Sequence, residues 1–184
     1  MKAKRKKPLS AAHLVVAVDP GTRSAGWASA LCTGGRLEPR AGDRVRGGLI
    51  KARSSWRTWP ERAMGMARSL FEESGLLSWS GEAIVVCEYP EFRSGAVGEM
   101  AARSGDTLLL AYQCGLLGGM CDFDRVEFRP APVSAWKGQL SKAETWRRTL
   151  EAWARAKVVG KISLAKADTR DALGLLAWAV GRLD

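Results

Sequence analysis

Two unbroken apolar runs, "LVVAV" from Leu14 to Val18 and "AIVVC" from Ala83 to Cys87, each end on a single carboxylate, Asp19 after the first and Glu88 after the second. Apolar runs without alternation suit strands buried on both faces, which sit inside a sheet rather than at its edge. Pro20 and Gly21 close the first run and Pro90 the second, so each acid stands where its strand must stop. If the two strands are neighbours, their ends converge and both carboxylates reach one small volume. Each acid alone has a simpler explanation, capping a turn or pairing with an arginine. The turn "DPGT", Asp19 to Thr22, also admits a phosphate cradled by its backbone amides.

The remaining pattern predicts the elements around these strands. "GWASALCT", 26–33, reads as a hairpin partner of the first strand; Gly34, Gly35 and Pro39 mark a loop, and "DRVRGGLIK", 43–51, reads as a third strand. Thr58 caps a helix with Pro60 and Glu61 in its first turn; Ala63, Met66, Ala67, Leu70 and Phe71 recur at helical spacing until Gly75. The Ala-, Leu- and Gly-rich segment from Gly98 to Met120 predicts a long buried helix, whose small residues suit packing against another subunit. "RVEFRPAP", 125–132, is a strand broken by prolines, and helices over about 141–157 and 166–183 close the chain. The order predicts an α/β fold, a mixed central sheet of about five strands flanked by helices. The 184 residues divide into a basic disordered tail, 1–12, and a single domain, 13–184.

The start is basic and then apolar, but it is not expected to be a signal peptide. The apolar run is short, His13 interrupts it, and "DPGT" stands where a small-residue cleavage site belongs. No run of about 18 apolar residues predicts a membrane span. Cys32, Cys87, Cys114 and Cys121 form no CxxC pair and read as reduced core residues, which points to the cytoplasm.

Elimination narrows the chemistry. His13 is the only histidine, so neither a histidine-assisted nucleophile nor a His/Cys zinc site is supported; no GxxxxGK[ST] or GxGxxG loop occurs. Carboxylates remain. In "KADTRDALGLLAWAV", Asp168 and Asp171 are three apart, on a helix stripe that continues through Ala172, Leu175, Leu176 and Ala179 toward the core. Asp168 is also a candidate N-cap, and acids are favoured in a first turn by the helix dipole. Four converging carboxylates repel one another unless cations join them, and hard oxygen ligands select Mg²⁺, with Mn²⁺ as a substitute. Two such ions, roughly 4 Å apart, activate water on one side of a phosphodiester and stabilise the leaving oxygen on the other. Lys and Arg total 29 against 19 acids, a formal charge of +10, which favours a polyanionic partner such as nucleic acid. The run Lys2 to Lys7 adds non-specific phosphate attraction.

An apolar strand then "DPG", an apolar strand then Glu, and a C-terminal helix with "DTRDAL" together resemble the RuvC-type Holliday-junction resolvases of the RNase H-like superfamily. "PVSAWKGQLSK" is similar to their phage-type relatives. The resemblance runs from Leu14 to Leu183. It implies a homodimeric, Mg²⁺-dependent endonuclease that nicks two opposed strands of a four-way DNA junction, in a bacterial cytoplasm and with a phage origin favoured, with no membrane partner and no small-molecule cofactor. It assigns Asp19, Glu88, Asp168 and Asp171 as metal ligands, and Lys137 and Lys142 as basic residues facing DNA. It also places an aromatic wedge at Tyr89 or Phe92 without choosing between them. Two features depart from the family pattern: the lysine and glycine arrangement around "WKGQLSK", and the basic tail.

Trp136, Arg147 and Arg148 complete the DNA-facing candidates. In a chain with eight tryptophans Trp136 is equally a core aromatic, and Arg147, Arg148 and Arg155 equally form a solvated helix face. Lys142, at a helix start, fits the dipole poorly and suits a phosphate better. A flap, branched-DNA or RNA–DNA hybrid nuclease on the same fold is the alternative, as is a junction-binding protein without catalysis. An actin- or sugar-kinase-like nucleotide site would need a second domain for which 184 residues leave little room.

Overall fold

The computed structural model describes residues 12–32, 44–91, 105–121, 125–138, 140–154, 157–159 and 166–181. Within them the strands β1 (His13–Asp19), β2 (Ser24–Cys32), β3 (Arg44–Lys51), β4 (Ala83–Tyr89), β5 (Val126–Pro132) and β6 (Lys157–Val159) form one sheet in the order β5-β4-β1-β2-β3-β6. The helices are α1 (Trp59–Glu73), α2 (Asp106–Met120), α3 (Val133–Trp136), α4 (Lys142–Trp153) and α5 (Ala167–Ala179). β1–β2 and β2–β3 are antiparallel; β1–β4, β4–β5 and β3–β6 are parallel. The C-terminal ends of β1, β3, β4 and β5 therefore share one edge of the sheet with the start of β2.

Both faces of the sheet are covered, which is why β1 is apolar throughout Leu14–Val18 and β4 throughout Ala83–Cys87. Val15, Ala17, Ile84 and Val86 pack with Ala172, Leu175 and Leu176 of α5. Val16, Val18, Val85 and Cys87 pack with Met66, Leu70 and Phe71 of α1 and with Cys114 and Leu117 of α2. α1 starts as expected: Thr58 Oγ1 accepts from Glu61 N, and the Glu61 carboxylate accepts from Thr58 N, a reciprocal capping box. All four cysteines are free and buried. Among the described residues no helix is long and apolar enough to cross a membrane.

The mixed sheet flanked by helices is as expected, and a short sixth strand joins it: α4 ends at Trp153 rather than about 157, and Lys157–Val159, for which no strand was expected, pairs with Arg44–Arg46. The long helix, in its described part, is buried along one face only: Thr107, Gln113, Cys114 and Leu117 face the core while Leu108 and Tyr112 are exposed. The last helix ends at Ala179 rather than 183, and its N-cap is Lys166, which leaves Asp168 free of a capping role. The basic tail, residues 98–104 of the expected helix, the loop glycines, Phe92 and Arg155 lie outside the described residues.

α5 crosses β2 at backbone contact. A Cβ on Gly26 would lie 2.1 Å from the Asp168 carbonyl oxygen, so only glycine lets the helix approach this closely. Gly26→Ala is expected to destabilise the fold by about 3 kcal/mol or more, as overpacking against unyielding backbone does. Removing the capping side chain in Thr58→Ala costs about 1 kcal/mol. Urea unfolding of both variants checks the ranking.

Candidate active site

The sheet edge gathers the acids by register. Pairing of Val18 with Cys87 puts the next residues, Asp19 and Glu88, side by side at the ends of parallel β1 and β4. Asp19 shares the face of Val15 and Ala17, and Glu88 that of Ile84 and Val86, so both carboxylates leave the sheet on the α5 side. Across β1, Asp19 pairs with Gly26, over which the first turn of α5 lies. That contact delivers Asp168, whose Oδ2 accepts from Ser24 Oγ at 2.6 Å. Asp171 follows on the same helix face. The structure thus brings together all four acids expected from the sequence.

Lys137 stands among them. It follows α3, the short helix after β5, and its Nζ donates to Glu88 Oε2 at 3.1 Å and to Asp171 Oδ2 at 2.9 Å. The three side chains are 17%, 16% and 25% exposed, so this is a largely buried bridge. Trp136, a candidate for facing DNA, is instead buried in the core beside α5, where a Cβ on Gly174 would lie 2.8 Å from its ring. Its Nε1 donates to Glu88 Oε2 at 3.1 Å, and the Lys137 ammonium lies 4.4 Å from its ring centroid. The indole therefore orients the glutamate and supports the lysine.

Burial pushes the Asp19 carboxyl well above its ordinary value; Glu88, Asp171 and Asp168 push it further, against the lowering pull of Lys137. Burial likewise raises Glu88, offset in part by the charge and hydrogen bond of Lys137. Burial alone would lower the Lys137 ammonium, but Glu88 and Asp171 outweigh it and hold its pKa above the ordinary lysine value. One ammonium among four carboxylates leaves net negative charge in a desolvated pocket, and all the donors are hard oxygens. That donor set fits Mg²⁺ or Mn²⁺. As they stand, no three acidic, histidine or cysteine side chains among the described residues are arranged to ligate one ion; Lys137 sits between Glu88 and Asp171.

The remaining DNA-facing candidates divide. Tyr89, at the end of β4, is exposed one residue beyond Glu88. Lys142 is the first residue of α4 and lines a cleft of about 370 Å³ with Trp146, Thr149, Arg170 and Asp171. Arg147 and Arg148 both pair with Glu144, and Arg147 also pairs with Glu151. Hydrogen bonds from the two arginines pull the Glu144 pKa down to about 2. Their charges are thus satisfied within α4, the arrangement of a solvated helix face.

No family model and no curated protein matches the chain. Among solved structures it is similar to RuvC of Thermus thermophilus in complex with a Holliday junction substrate, with 18% identity, a TM-score of 0.52 and coverage of 93% of this chain and 98% of the other. It is also similar to the yeast mitochondrial Holliday junction resolvase Ydc2, with 13% identity, a TM-score of 0.55 and coverage of 91% and 78%. The chain has the RuvC-type, RNase H-like fold.

On this RuvC-type sheet, sequence reasoning missed two roles. Ser24 holds an aspartate 144 residues away, and Lys137 bridges two acids 49 and 34 residues away. No local pattern signals contacts of that range.

Because the fold raises the Asp19 pKa, the stability it confers is fully present below the unfolded-state value and is lost as pH rises through the folded one. In chelator, Asp19→Asn is expected to unfold at a higher temperature than the parent protein near neutral pH. The gap should close toward about pH 4, where the unfolded-state carboxyl is protonated. Thermal unfolding across that range checks the sign; equal midpoints at neutral pH would show that the Asp19 charge costs the fold nothing.

Proposed function

We propose that the chain is a divalent-metal-dependent endonuclease that resolves four-way DNA junctions by hydrolysing phosphodiesters in two opposed strands. The observation that carries this reading is the convergence of Asp19, Glu88, Asp168 and Asp171 at one edge of a RuvC-type sheet. Junction DNA as the substrate class is supported by the Thermus thermophilus RuvC structure, which contains a Holliday junction substrate, and by the yeast protein, which is named a Holliday junction resolvase. The formal charge of +10 fits a polyanionic substrate.

A pair of Mg²⁺ or Mn²⁺ ions held by these acids would supply an activated water and stabilise the leaving oxygen. Asp19 and Glu88 are fixed on strand ends, and Asp168 is fixed by Ser24 and by the backbone contact beneath it, so the donors are positioned before substrate arrives. Trp136 keeps the Glu88 carboxylate turned toward the site. Lys137, already among the acids, is placed to attract a phosphate oxygen into their midst, and Lys142 to hold a phosphate beside Asp171. Tyr89 is the described candidate for contact with the junction bases.

Symmetric cleavage needs two copies of the site. The exposed face of α2 suits that pairing: Leu108 and Tyr112 are uncovered, and Gly115 and Gly119 have open space where a side chain would stand. The protein is therefore expected to be a dimer by light scattering, and Tyr112→Glu to shift it toward monomer.

Incubation with a synthetic four-way junction and Mg²⁺ should give paired nicks, abolished by chelator, by Asp19→Asn and by Glu88→Gln. Cleavage retained in both variants would overturn the ligand assignment. Parallel reactions on flap, linear duplex and RNA–DNA hybrid separate a junction resolvase from other nucleases of the same fold; a flap or hybrid cut faster than the junction would replace the substrate proposed here.

A further inference from the structure

Lys137 and Lys142 flank the acids on the side of β5 and α4. The opposite flank, formed by β2, β3 and the start of α1, is also basic, and Lys51 ties its beginning to the site. Ser24, which holds Asp168, pairs directly with Lys51, the last residue of β3. Directly opposed residues of an antiparallel pair project from the same face, with Cβ atoms about 4.5–5.5 Å apart. Lys51 therefore emerges on the face where Asp168 lies. Ala52 N donates to Arg23 O at 2.9 Å, which anchors the next segment to the turn between β1 and β2.

That segment, "KARSSWRTWPER" from Lys51 to Arg62, holds four cations, Lys51, Arg53, Arg57 and Arg62, and one acid. The acid, Glu61, is engaged in the capping box. Among the described residues, Arg23, Lys51, Arg53 and Arg57 are exposed and make no ion pair, whereas Arg147 and Arg148 are paired on their own helix. The segment is also braced. Arg53 lies 5.5 Å from the Trp56 ring centroid and Arg62 lies 5.9 Å from that of Trp59. Both indoles pack half-buried against the core, and Trp56 rests on Gly65 of α1, where a Cβ would lie 2.3 Å from its ring.

This arrangement selects a ligand chemistry. The ring faces are occupied by guanidinium groups and by the core, so they do not offer the free stacking platforms that single-stranded bases require. What the loop presents is fixed, unneutralised positive charge, the chemistry of sequence-independent phosphate contact.

We propose that Lys51, Arg53 and Arg57, with Arg23 beside them, form a second DNA-backbone contact that holds a duplex arm of the branched substrate on the β2–β3 flank of the acids, opposite Lys137 and Lys142. The inference rests on the nuclease reading above and gives it a direction: the substrate crosses the sheet edge over Asp19, from the β5 side to the β3 side.

The test is anisotropy binding of the full chain to a labelled four-way junction in chelator, over a salt series. The parent protein is expected to bind with a steep salt dependence. Combining Lys51→Gln, Arg53→Gln and Arg57→Gln should weaken binding by about tenfold or more at about 0.1 M salt. It should also reduce the slope of log K against log salt by about 0.9 for each phosphate that the protein no longer neutralises. Because Arg53 leans on Trp56, Arg57→Gln and Lys51→Gln are also measured singly; both side chains are exposed, and each change should lower the slope by about 0.9. A junction bound by the parent and by all three variants with the same affinity and slope would overturn this second DNA-backbone site and leave the nuclease reading standing. A parent protein that binds neither junction nor duplex would overturn both.

Discussion

The Lys137 ammonium, bridging Glu88 and Asp171 over the face of Trp136, is the interaction on which the rest of the site depends. It joins three segments far apart in sequence: the end of β4, the turn after β5, and the first turns of α5. Taking one partner out of a buried ion pair leaves an uncompensated charge, at a cost of about 3–5 kcal/mol. The acids around Asp19 tolerate their proximity because this one cation is among them. The same cation supplies part of the positive charge that four converging acids call for.

The acids differ in how they are fixed. Asp19 and Glu88 inherit their separation from the parallel register of β1 and β4, which core packing on both faces enforces. Asp168 is located by backbone, through the Gly26 contact, and turned by the Ser24 hydroxyl. Asp171 is held by Lys137. Strand, helix and side chain thus each supply part of the constellation.

The strands and the acids were legible because their signals are local. Unbroken apolar runs mark β1 and β4, and a spacing of three marks Asp168 and Asp171 as neighbours on a helix. The sixth strand was not legible: three residues are too few to show a period, and what makes them a strand is the edge of β3 waiting beside them. Trp136 was undecidable from sequence because a tryptophan beside a lysine reads equally as surface or core; its burial follows from the small Gly174 on α5 beneath it. The Ala-, Leu- and Gly-rich composition of α2 suggested a buried helix, whereas in its described part only one face meets the core. The basic and aromatic residues from Lys51 to Arg62 are plain in the sequence, but that the segment starts on the face of Asp168 follows only from the pairing of Ser24 with Lys51.

The two borders of the sheet carry a consequence for assembly. β5 forms one border and contains Pro130 and Pro132, which have no amide hydrogen to offer an incoming strand. The other border is β6, only three residues long. Among the described residues neither border offers a long template for strand addition, and short or proline-bearing borders are how sheets avoid aggregating edge to edge. Edge-to-edge pairing through these two described borders is thereby disfavoured.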